Sequence, residues 1–508
     1  MELDLKGTQL SGYDLVINTA LFSEETLESI VPDACPDMLR VLNTHGFVCI
    51  KSREARDGHL EVRGVVHTQV LYISDGEETV RHIDISIPFT CGMDHSAIHS
   101  GCILQLSASL LSADARMLNP RKVYVRAEIA LNVSCYSPYQ RKVILGCSCE
   151  ERLGVQEKRE SCQLCTIQSV QDKNFSFSED LTLPGSKPDL RELLSQRVDI
   201  SCSESRVIGS KLIIKGQALL TLLYRSADDL PVTACFELPF SQIMEVSDAA
   251  EGADCALDVT LSDMTCQPDG EDTRTISVSM SFMAQAVLRE SRSVEVLSDV
   301  YSTVYELSAE FREDTFCQFS ACDSIRQDIR EVVETPVPVK AVVDSVLSIG
   351  TVSQSWEGKL LQFSADARIN ILYQSEDGEY HAITRPLSAK CQVETDPNCR
   401  CAPWCRCVGE RYATPTAGGI EVRVPMEFFY RTEKQEPIKE VVGGVLDEEA
   451  ACDNVCRPSI VLRMAQTHEN LWDIAKAYST TMQEIMEANE LSEQGDFTGR
   501  MLLIPKKR

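Results

Sequence analysis

The sequence lacks any segment that would carry it across or into a membrane. Its first residues, MELDLKGTQL, include acids and have no continuous apolar core of the kind that a signal peptide needs. No apolar run approaches the roughly eighteen residues required for a membrane-spanning helix. We therefore expect a protein without a signal peptide and without membrane insertion.

Recognisable catalytic motifs are also missing. The sequence has no nucleophile elbow, no phosphate-binding loop, no paired-histidine zinc motif and no dinucleotide fingerprint. Histidine is scarce, with 8 residues, and none stands in the sequence context of an activated nucleophile. The sequence predicts a protein that is not an enzyme and that needs no cofactor.

Positive charge is in short supply. The 49 lysine and arginine residues are outnumbered by 77 aspartate and glutamate residues, which gives a net charge of −28. Long-range repulsion from such a surface disfavours nucleic acid and anionic lipid as partners. Apolar content of 43% is ordinary for a globular protein, so the chain is expected to fold and not to be disordered. The excess of acidic residues is then best explained as a contribution to solubility.

Cysteine, in contrast, is plentiful, with 22 residues. Disulfide scaffolds are short secreted chains, so free thiols in a reducing compartment fit a chain of 508 residues better. Most clusters continue the alternating apolar face of a strand, which favours a core position over a metal ligand. Zinc binding and later disulfide formation both stay open. The best zinc candidate is the CRCAPWCRC segment, with thiols at Cys399, Cys401, Cys405 and Cys407.

The strongest organisational signal is an internal repeat with a period of roughly 150 residues. It is carried by three related phrases, LYISDGEE from Leu71, LYRSADDL from Leu223 and LYQSEDGE from Leu372, each of which follows an alternating apolar segment. Such a pattern predicts a β-hairpin in each repeat. We predict three β-rich, sandwich-like units at 1–155, 156–315 and 316–448, followed by a linker at 449–459. The pattern specifies neither a strand order nor whether the units touch.

Residues 460–508 follow a different pattern. Apolar residues recur with helical spacing in two short segments, one from Leu471 to Tyr478 and one from Met482 to Leu491. Asn470 and Thr481 stand where N-caps would lie, each followed by an acid three residues later. With an alternating apolar stretch before the helices and GRMLLIP after them, the segment predicts a small β-α-α-β domain.

Together these features resemble the SPOCS-repeat family of spore-coat morphogenesis proteins, whose members end in a LysM domain. The resemblance covers nearly the whole chain. It implies a non-enzymatic adaptor in the mother-cell cytoplasm at the forespore surface, and later in the spore coat. It also implies a partner for the LysM module, the ATPase that polymerises into the basal layer of the coat (SpoIVA-like). Because most LysM domains hold the N-acetylglucosamine backbone of peptidoglycan, a wall or cortex glycan remains the alternative ligand.

The LysM loops contain the candidate binding residues. Sugar-binding modules commonly have Gly-Asp-Thr in the loop before the first helix, whereas this chain has larger side chains there, which favours a protein partner over a sugar. Trp472 is either a packing residue or a partner anchor, and packing is favoured. The candidates are Thr467, His468, Glu469, Asn470, Trp472, Asn489, Glu490 and Leu491.

Overall fold

The protein is mainly β, as predicted. The computed structural model describes residues 1–76, 78–246, 252–270, 272–397, 399–452, 460–466, 469–491 and 499–505. Within those ranges the α-helices are confined to the C-terminal module. Neither is long and apolar enough to cross a membrane.

The first unit is a sandwich of two antiparallel sheets. The sheet β2-β3-β4 packs against β1-β6-β5, and the alternating residues of both sheets meet in one apolar core that includes Tyr72, Phe89 and Val125. The predicted hairpin lies between β3 and β4. The strands are β1 (Asp4–Ile30), β2 (Met38–Arg56), β3 (His59–Ser74), β4 (Val80–Asp94), β5 (Ile103–Asn119) and β6 (Lys122–Ser148).

The second unit repeats this arrangement after a short 3-10 turn at Glu151–Leu153. Its two sheets are β8-β9-β10 and β7-β12-β11, with Tyr224 and Phe282 in the core between them. The strands are β7 (Val155–Thr182), β8 (Leu190–Ile208), β9 (Lys211–Ser226), β10 (Pro231–Glu245), β11 (Asp254–Pro268) and β12 (Thr275–Ser302).

The third unit has the same plan, except that its outermost strand is split. Its sheets are β14-β15-β16 and β13-β19-β17, with β18 also pairing with β19, and Tyr373 and Phe428 lie in the core. The strands are β13 (Tyr305–Val333), β14 (Val339–Glu357), β15 (Leu360–Ser375), β16 (Tyr380–Glu394), β17 (Cys399–Cys407), β18 (Tyr412–Thr416) and β19 (Gly419–Ala451). Since β13 begins at Tyr305, the predicted boundary after residue 315 falls within a strand, and we propose 303–304 in its place.

The hairpin sheets of the three units match closely. Their strands have 19, 16 and 15 residues in every unit. The first strand of each sheet is interrupted by three register shifts at corresponding places. Because β-bulges re-aim side chains and bend a strand, their repetition preserves the same curved surface three times.

The repeated Leu-Tyr pair explains how the units join. Successive strand residues point to opposite faces, so each tyrosine enters the core of its own unit while each leucine points the other way. Leu71, Leu223 and Leu372 meet one another in a separate buried cluster at the centre of the molecule. We call this cluster, with the bulge residues Leu42, Leu194 and Val343 around it, the central junction.

Polar contacts surround the central junction, and each joins a different pair of units. Gln69 of the first unit accepts a hydrogen bond from the backbone N–H of Gln196 in the second. Arg197 of the second unit donates two hydrogen bonds to Asp344 of the third, at 2.7 and 2.8 Å. Asn370 of the third unit donates a hydrogen bond to the side chain of Asn43 in the first unit.

The long strand pairs continue beyond the sandwiches and pack into a stalk. β1 with β6, β7 with β12, and β13 with β19 supply its walls, and Ile144, Leu297 and Val441 meet inside it. A bridge between Tyr13 and Ile167 also joins the sheets of the first two units into six strands. Each unit thus has its own core, and the units also share apolar clusters at the central junction and along the stalk.

The C-terminal module has the predicted β-α-α-β order. Its elements are β20 (Ile460–Met464), α1 (Leu471–Ala477), α2 (Met482–Ala488) and β21 (Met501–Pro505). The two strands pair antiparallel, and both helices pack on one face of that small sheet. The module rests on the stalk through Tyr301 at the end of β12, which belongs to the same apolar cluster.

Candidate functional site

Both helices of the C-terminal module begin at the predicted caps. The Asn470 side chain accepts a hydrogen bond from the backbone N–H of Asp473 at 2.7 Å. At the second helix, Thr481 and Glu484 form a reciprocal capping box. These caps fix where each helix begins. The predicted ligand position of a LysM domain lies between the loop before the first helix and the loop after the second.

The first loop is tied down by its own residues. Glu469 accepts a hydrogen bond from the backbone N–H of Gln466 at 3.0 Å and forms an ion pair with Arg463 on β20. Its carboxylate is therefore engaged within the module. The predicted residues Thr467 and His468 lie outside the described part of the chain.

In the second loop, Asn489 acts as a brace between α2 and β21. Its amide nitrogen donates to the carbonyl oxygens of Ile485 and Leu503, and its amide oxygen accepts from the Leu503 N–H at 2.6 Å. Leu491 packs against the core of the module. Glu490 is exposed and has a left-handed backbone, with φ of 50°. Of the second-loop candidates, Glu490 presents its side chain most openly to solvent.

Trp472 lies in the joint between the module and the stalk. It is 6% exposed, and its indole N–H donates to the Asp299 carboxylate at 2.8 Å. Its ring lies edge-on to Tyr301, with centroids 4.8 Å apart. The Tyr301 hydroxyl donates to the carbonyl oxygen of Thr480 at 2.7 Å. Packing, the favoured interpretation from the sequence, matches this position.

Asp299 is the charged centre of this joint. Lys476 on α1 places its ammonium 2.7 Å from the Asp299 carboxylate. Burial opposes ionisation of Asp299, but the hydrogen bonds from Lys476 and Trp472 outweigh it and hold the pKa of the carboxyl below its usual value. The joint is therefore formed around an ionised carboxylate. Neither Asp299 nor Tyr301 was a sequence candidate, because both lie far from the module along the chain.

The sequence also missed an exposed apolar surface on the module. The face of β20 and β21 that points away from the helices carries four largely exposed side chains, whereas Leu502 and Ile504 on the opposite face are buried. The sequence did contain a sign of this surface: all four residues of the segment MLLI, at 501–504, are apolar, so both faces of that strand are apolar. We call this surface the outer sheet face. It consists of Ile460, Leu462, Met464 and Met501, exposed by 57%, 64%, 61% and 62%.

The four candidate zinc thiols lie along one extended strand. Cys399, Cys401, Cys405 and Cys407 all belong to β17, and a strand rises about 3.3 Å per residue, so the outer two are about 26 Å apart. Cys399 is buried, and the other three side chains are partly buried against the core of the third unit. Burial raises the pKa of the Cys401 and Cys405 thiols to about 12, which opposes the thiolate form that zinc binds. This geometry does not bring the four thiols together around one ion.

Comparisons with protein families agree with this architecture. The family model of the SipL SPOCS domain matches residues 37–118 and 189–269, and the LysM domain model matches residues 466–505. A search of the curated proteins gave no match. The two SPOCS matches cover the hairpin sheet and the following strand of the first and second units. The chain therefore carries SPOCS domains and a C-terminal LysM domain, as the sequence resemblance predicted. These are non-catalytic domains, and together they indicate a sporulation-related protein with a module of the peptidoglycan-binding type.

Proposed function

We propose that this protein is a non-enzymatic sporulation adaptor that helps to anchor or assemble the spore coat around the forespore. The three SPOCS-like units form the rigid body of the adaptor, and the LysM module binds a coat morphogenetic protein. The partner that the family resemblance implies is the SpoIVA-like ATPase of the coat's basal layer. The site of action is the mother-cell cytoplasm at the forespore surface, and afterwards the coat itself.

The observation that carries this proposal is the outer sheet face. Apolar side chains exposed singly are normal on protein surfaces, but a contiguous apolar patch is typical of an interaction site. Leu462 pairs across the sheet with Leu503, and Met464 pairs with Met501, so the apolar side chains form one continuous surface. Such a surface suits the apolar centre of a protein interface better than the hydroxyl groups of a glycan.

The loops support the same choice. Glu469 and Asn489, two of the loop candidates predicted from the resemblance to LysM domains, are already engaged in hydrogen bonds inside the module. A glycan would have to compete with those bonds or use backbone groups beside them. We therefore assign binding first to the outer sheet face and only second to the loops.

The experiment is a co-purification of the full chain with the basal-layer ATPase. Leu462→Glu places a charge in the middle of the outer sheet face and should abolish capture, because an apolar interface would have to desolvate that charge. Ile243→Glu is the matched control, since Ile243 is an apolar residue on the second unit with 51% exposure. Equal capture by both variants would contradict the proposal.

Localisation provides a second test. A fluorescent fusion of the full chain should form a ring around the forespore, and removal of residues 460–508 should release it into the mother cell. Leu462→Glu should reproduce that release, whereas Ile243→Glu should leave the ring intact. A ring that persists without the module would place the anchor in the SPOCS-like units.

Peptidoglycan remains the second candidate ligand, because the LysM match itself favours it. The full chain should then sediment with purified sacculi, and Leu462→Glu should sediment equally well. Saturable sedimentation with sacculi, together with no capture of the ATPase, would replace the adaptor proposal with the glycan proposal.

A further inference from the structure

Three side chains of metal-ligating type meet where the first unit contacts the second. Cys49 lies on β2, His67 on β3 and Asp263 on β11, and their ligand atoms all lie within 4.8 Å of one another. Cys49 is fully buried, whereas Asp263 is exposed at the rim. In the part of the chain that the structure describes, no other group of three or more His, Cys, Asp or Glu side chains is arranged in this way.

The histidine is oriented as a ligand would be. Its Nδ1 lies 3.2 Å from the Ser86 hydroxyl, and its ring packs against Phe47 at a centroid distance of 5.2 Å. Its Nε2 is buried and has no hydrogen-bond partner among the described residues. A buried ring nitrogen without a partner is costly, and a metal ion would satisfy it. A hydrogen bond at the opposite ring nitrogen orients a metal-ligating histidine, and here the Ser86 hydroxyl is placed to provide it.

The first two units do not repeat these side chains at matching positions. Register places Ser201 of the second unit where the first has Cys49, and Leu219 where it has His67. The residue that follows the corresponding bulge is Asp263 in β11 but Ser112 in β5. The repeated fold therefore does not require these three side chains, so their convergence at this one contact needs another reason.

We propose that Cys49, His67 and Asp263 bind a divalent zinc ion between the first two units. A thiolate, an imidazole and a carboxylate form a ligand set that suits Zn²⁺, and the exposed position of Asp263 leaves room for water as a fourth ligand. Burial raises the pKa of the Cys49 thiol to about 11, and it also raises the pKa of Cys401 and Cys405, so it is the convergence of three ligand atoms and not the thiol pKa that distinguishes this site. On binding, Cys49 gives up its proton to solvent and coordinates as the thiolate. The ion would join β2 and β3 of the first unit to β11 of the second.

Lys51 is the competing group at this site. Its ammonium lies 3.5 Å from an Asp263 oxygen and 3.4 Å from the carbonyl oxygen of Ser262, and the side chain is 47% exposed. Zinc binding requires this ammonium to move into solvent, which its long flexible stem permits. Lys51 thus neutralises the carboxylate without the ion and lowers the affinity for it.

The test uses the full chain, purified anaerobically with reductant, stripped of metal and titrated with Zn²⁺ and, in parallel, with Co²⁺. The three ligand variants are Cys49→Ser, His67→Leu and Asp263→Ser, each of which introduces the residue that another unit has at that position. Each variant should weaken Zn²⁺ binding by more than the roughly 10- to 100-fold expected for the loss of an outer hydrogen-bond partner. Lys51→Gln should tighten it.

The controls separate this site from the other thiols. Cys405→Ser removes a cysteine of similar type from the third unit and should leave the affinity unchanged. The Co²⁺ complex should show a thiolate-to-metal charge-transfer band that disappears in Cys49→Ser and persists in Cys405→Ser. Circular dichroism should show that all variants fold. Absence of binding by the parent chain, or equal affinity and spectra in parent and ligand variants, would overturn the proposal.

Discussion

The central junction and the contact of Trp472 and Lys476 with Asp299 and Tyr301, which we call the LysM joint, connect parts of the same chain in different ways. At the central junction, Leu71, Leu223 and Leu372 come from equivalent positions, and the surrounding polar contacts close a ring through all three units. At the LysM joint, one strand end meets one helix through Trp472 and Tyr301. The first joint uses equivalent residues of three units and has buried leucines at its centre, whereas the second is single and lies at the end of the stalk.

The difference indicates that the units and the module depend on their joints to different degrees. Loss of a residue at the central junction exposes or unpairs groups that belong to two or three units. Loss of the LysM joint should release one small module that keeps its own capped helices and its own core. The following predictions test this contrast, beginning with the largest expected effect.

Arg197→Ala should cause the greatest loss of stability. The substitution leaves the Asp344 carboxylate buried without its cation, and breaking a buried pair in this way costs about 3–5 kcal/mol. The pKa of Asp344 is held below its usual value because the nearby Arg197 charge outweighs burial. The stabilisation is therefore present above the unfolded pKa and disappears as the pH falls. Urea denaturation followed by circular dichroism measures the loss.

A matched control uses a second ion pair between the same two units. Arg411 pairs with Asp199, whose side chain is 48% exposed, so Arg411→Ala should cost about 0–1 kcal/mol. The double variant Arg197→Met with Asp344→Leu should recover most of the stability, because two apolar side chains replace the buried pair. Equal losses for Arg197→Ala and Arg411→Ala would contradict a special role for the central junction.

Leu223→Ala should have the next largest effect. The leucine is fully buried in the central junction, and truncation of a buried leucine costs about 2–5 kcal/mol through lost transfer free energy and the cavity that remains. Leu230 in the same unit is 51% exposed, so Leu230→Ala should change the free energy of unfolding by no more than about 0.5 kcal/mol. Similar unfolding midpoints for the two variants would mean that the junction tolerates the cavity.

Much of this fold could be predicted from the sequence because the repeat preserves alternation. The Leu-Tyr phrases predicted three hairpins, and the helical spacing and caps predicted the C-terminal module. The central junction could not be predicted, although Leu71 was already part of the first phrase. Because side chains alternate along a strand, Leu71 and Tyr72 must face opposite sides of their sheet. Only the packing of the three hairpin sheets against one another shows that both sides are buried.

The candidate site was predicted only in part, for a related reason. The resemblance to LysM domains pointed to loop residues, and among these Asn470 forms the helix cap that the sequence also predicted, whereas the brace formed by Asn489 was not predicted. Trp472 was a candidate from the sequence, but the residues that it contacts, Asp299 and Tyr301, are remote in the chain, and no local pattern links them. The same holds for Cys49, His67 and Asp263, which come from three strands of two units.

The contact between the first and second units should weaken in alkali because of His82. Burial opposes its charge, but the carboxylates of Asp84 and of Glu192 in the second unit, 3.6 and 3.3 Å from its ring nitrogens, raise its pKa to about 9. The stabilisation is complete below the unfolded pKa of about 6.5 and is lost as the pH rises through about 9. Glu192 stays ionised throughout, since its pKa is lowered to about 2 despite burial, chiefly by His82 and Arg225.

Unfolding midpoints of the parent chain and of His82→Gln, measured at pH values from about 6 to about 10, test this expectation. The parent should lose more stability than the variant across that range. His59→Gln is the control, since His59 is 51% exposed and pairs with Asp94 within the first unit. The same alkaline slope in His82→Gln and in the parent would show that another group is responsible.

The smallest effect on stability is expected at the LysM joint, from Asp299→Asn. The amide can still accept from the Trp472 indole, but the ion pair with Lys476 is lost, so the cost should be about 1 kcal/mol.

In a background with Trp356→Phe and Trp404→Phe, the remaining Trp472 reports directly on the joint by fluorescence. Its emission should shift to longer wavelength as the module separates from Tyr301 and water reaches the ring. Glu295→Gln removes an exposed charge from the same strand and should leave the emission unchanged. If Asp299→Asn instead lowered the unfolding midpoint of the three units as much as Leu223→Ala does, the module would be an integral part of the stalk and the contrast between the two joints would fail.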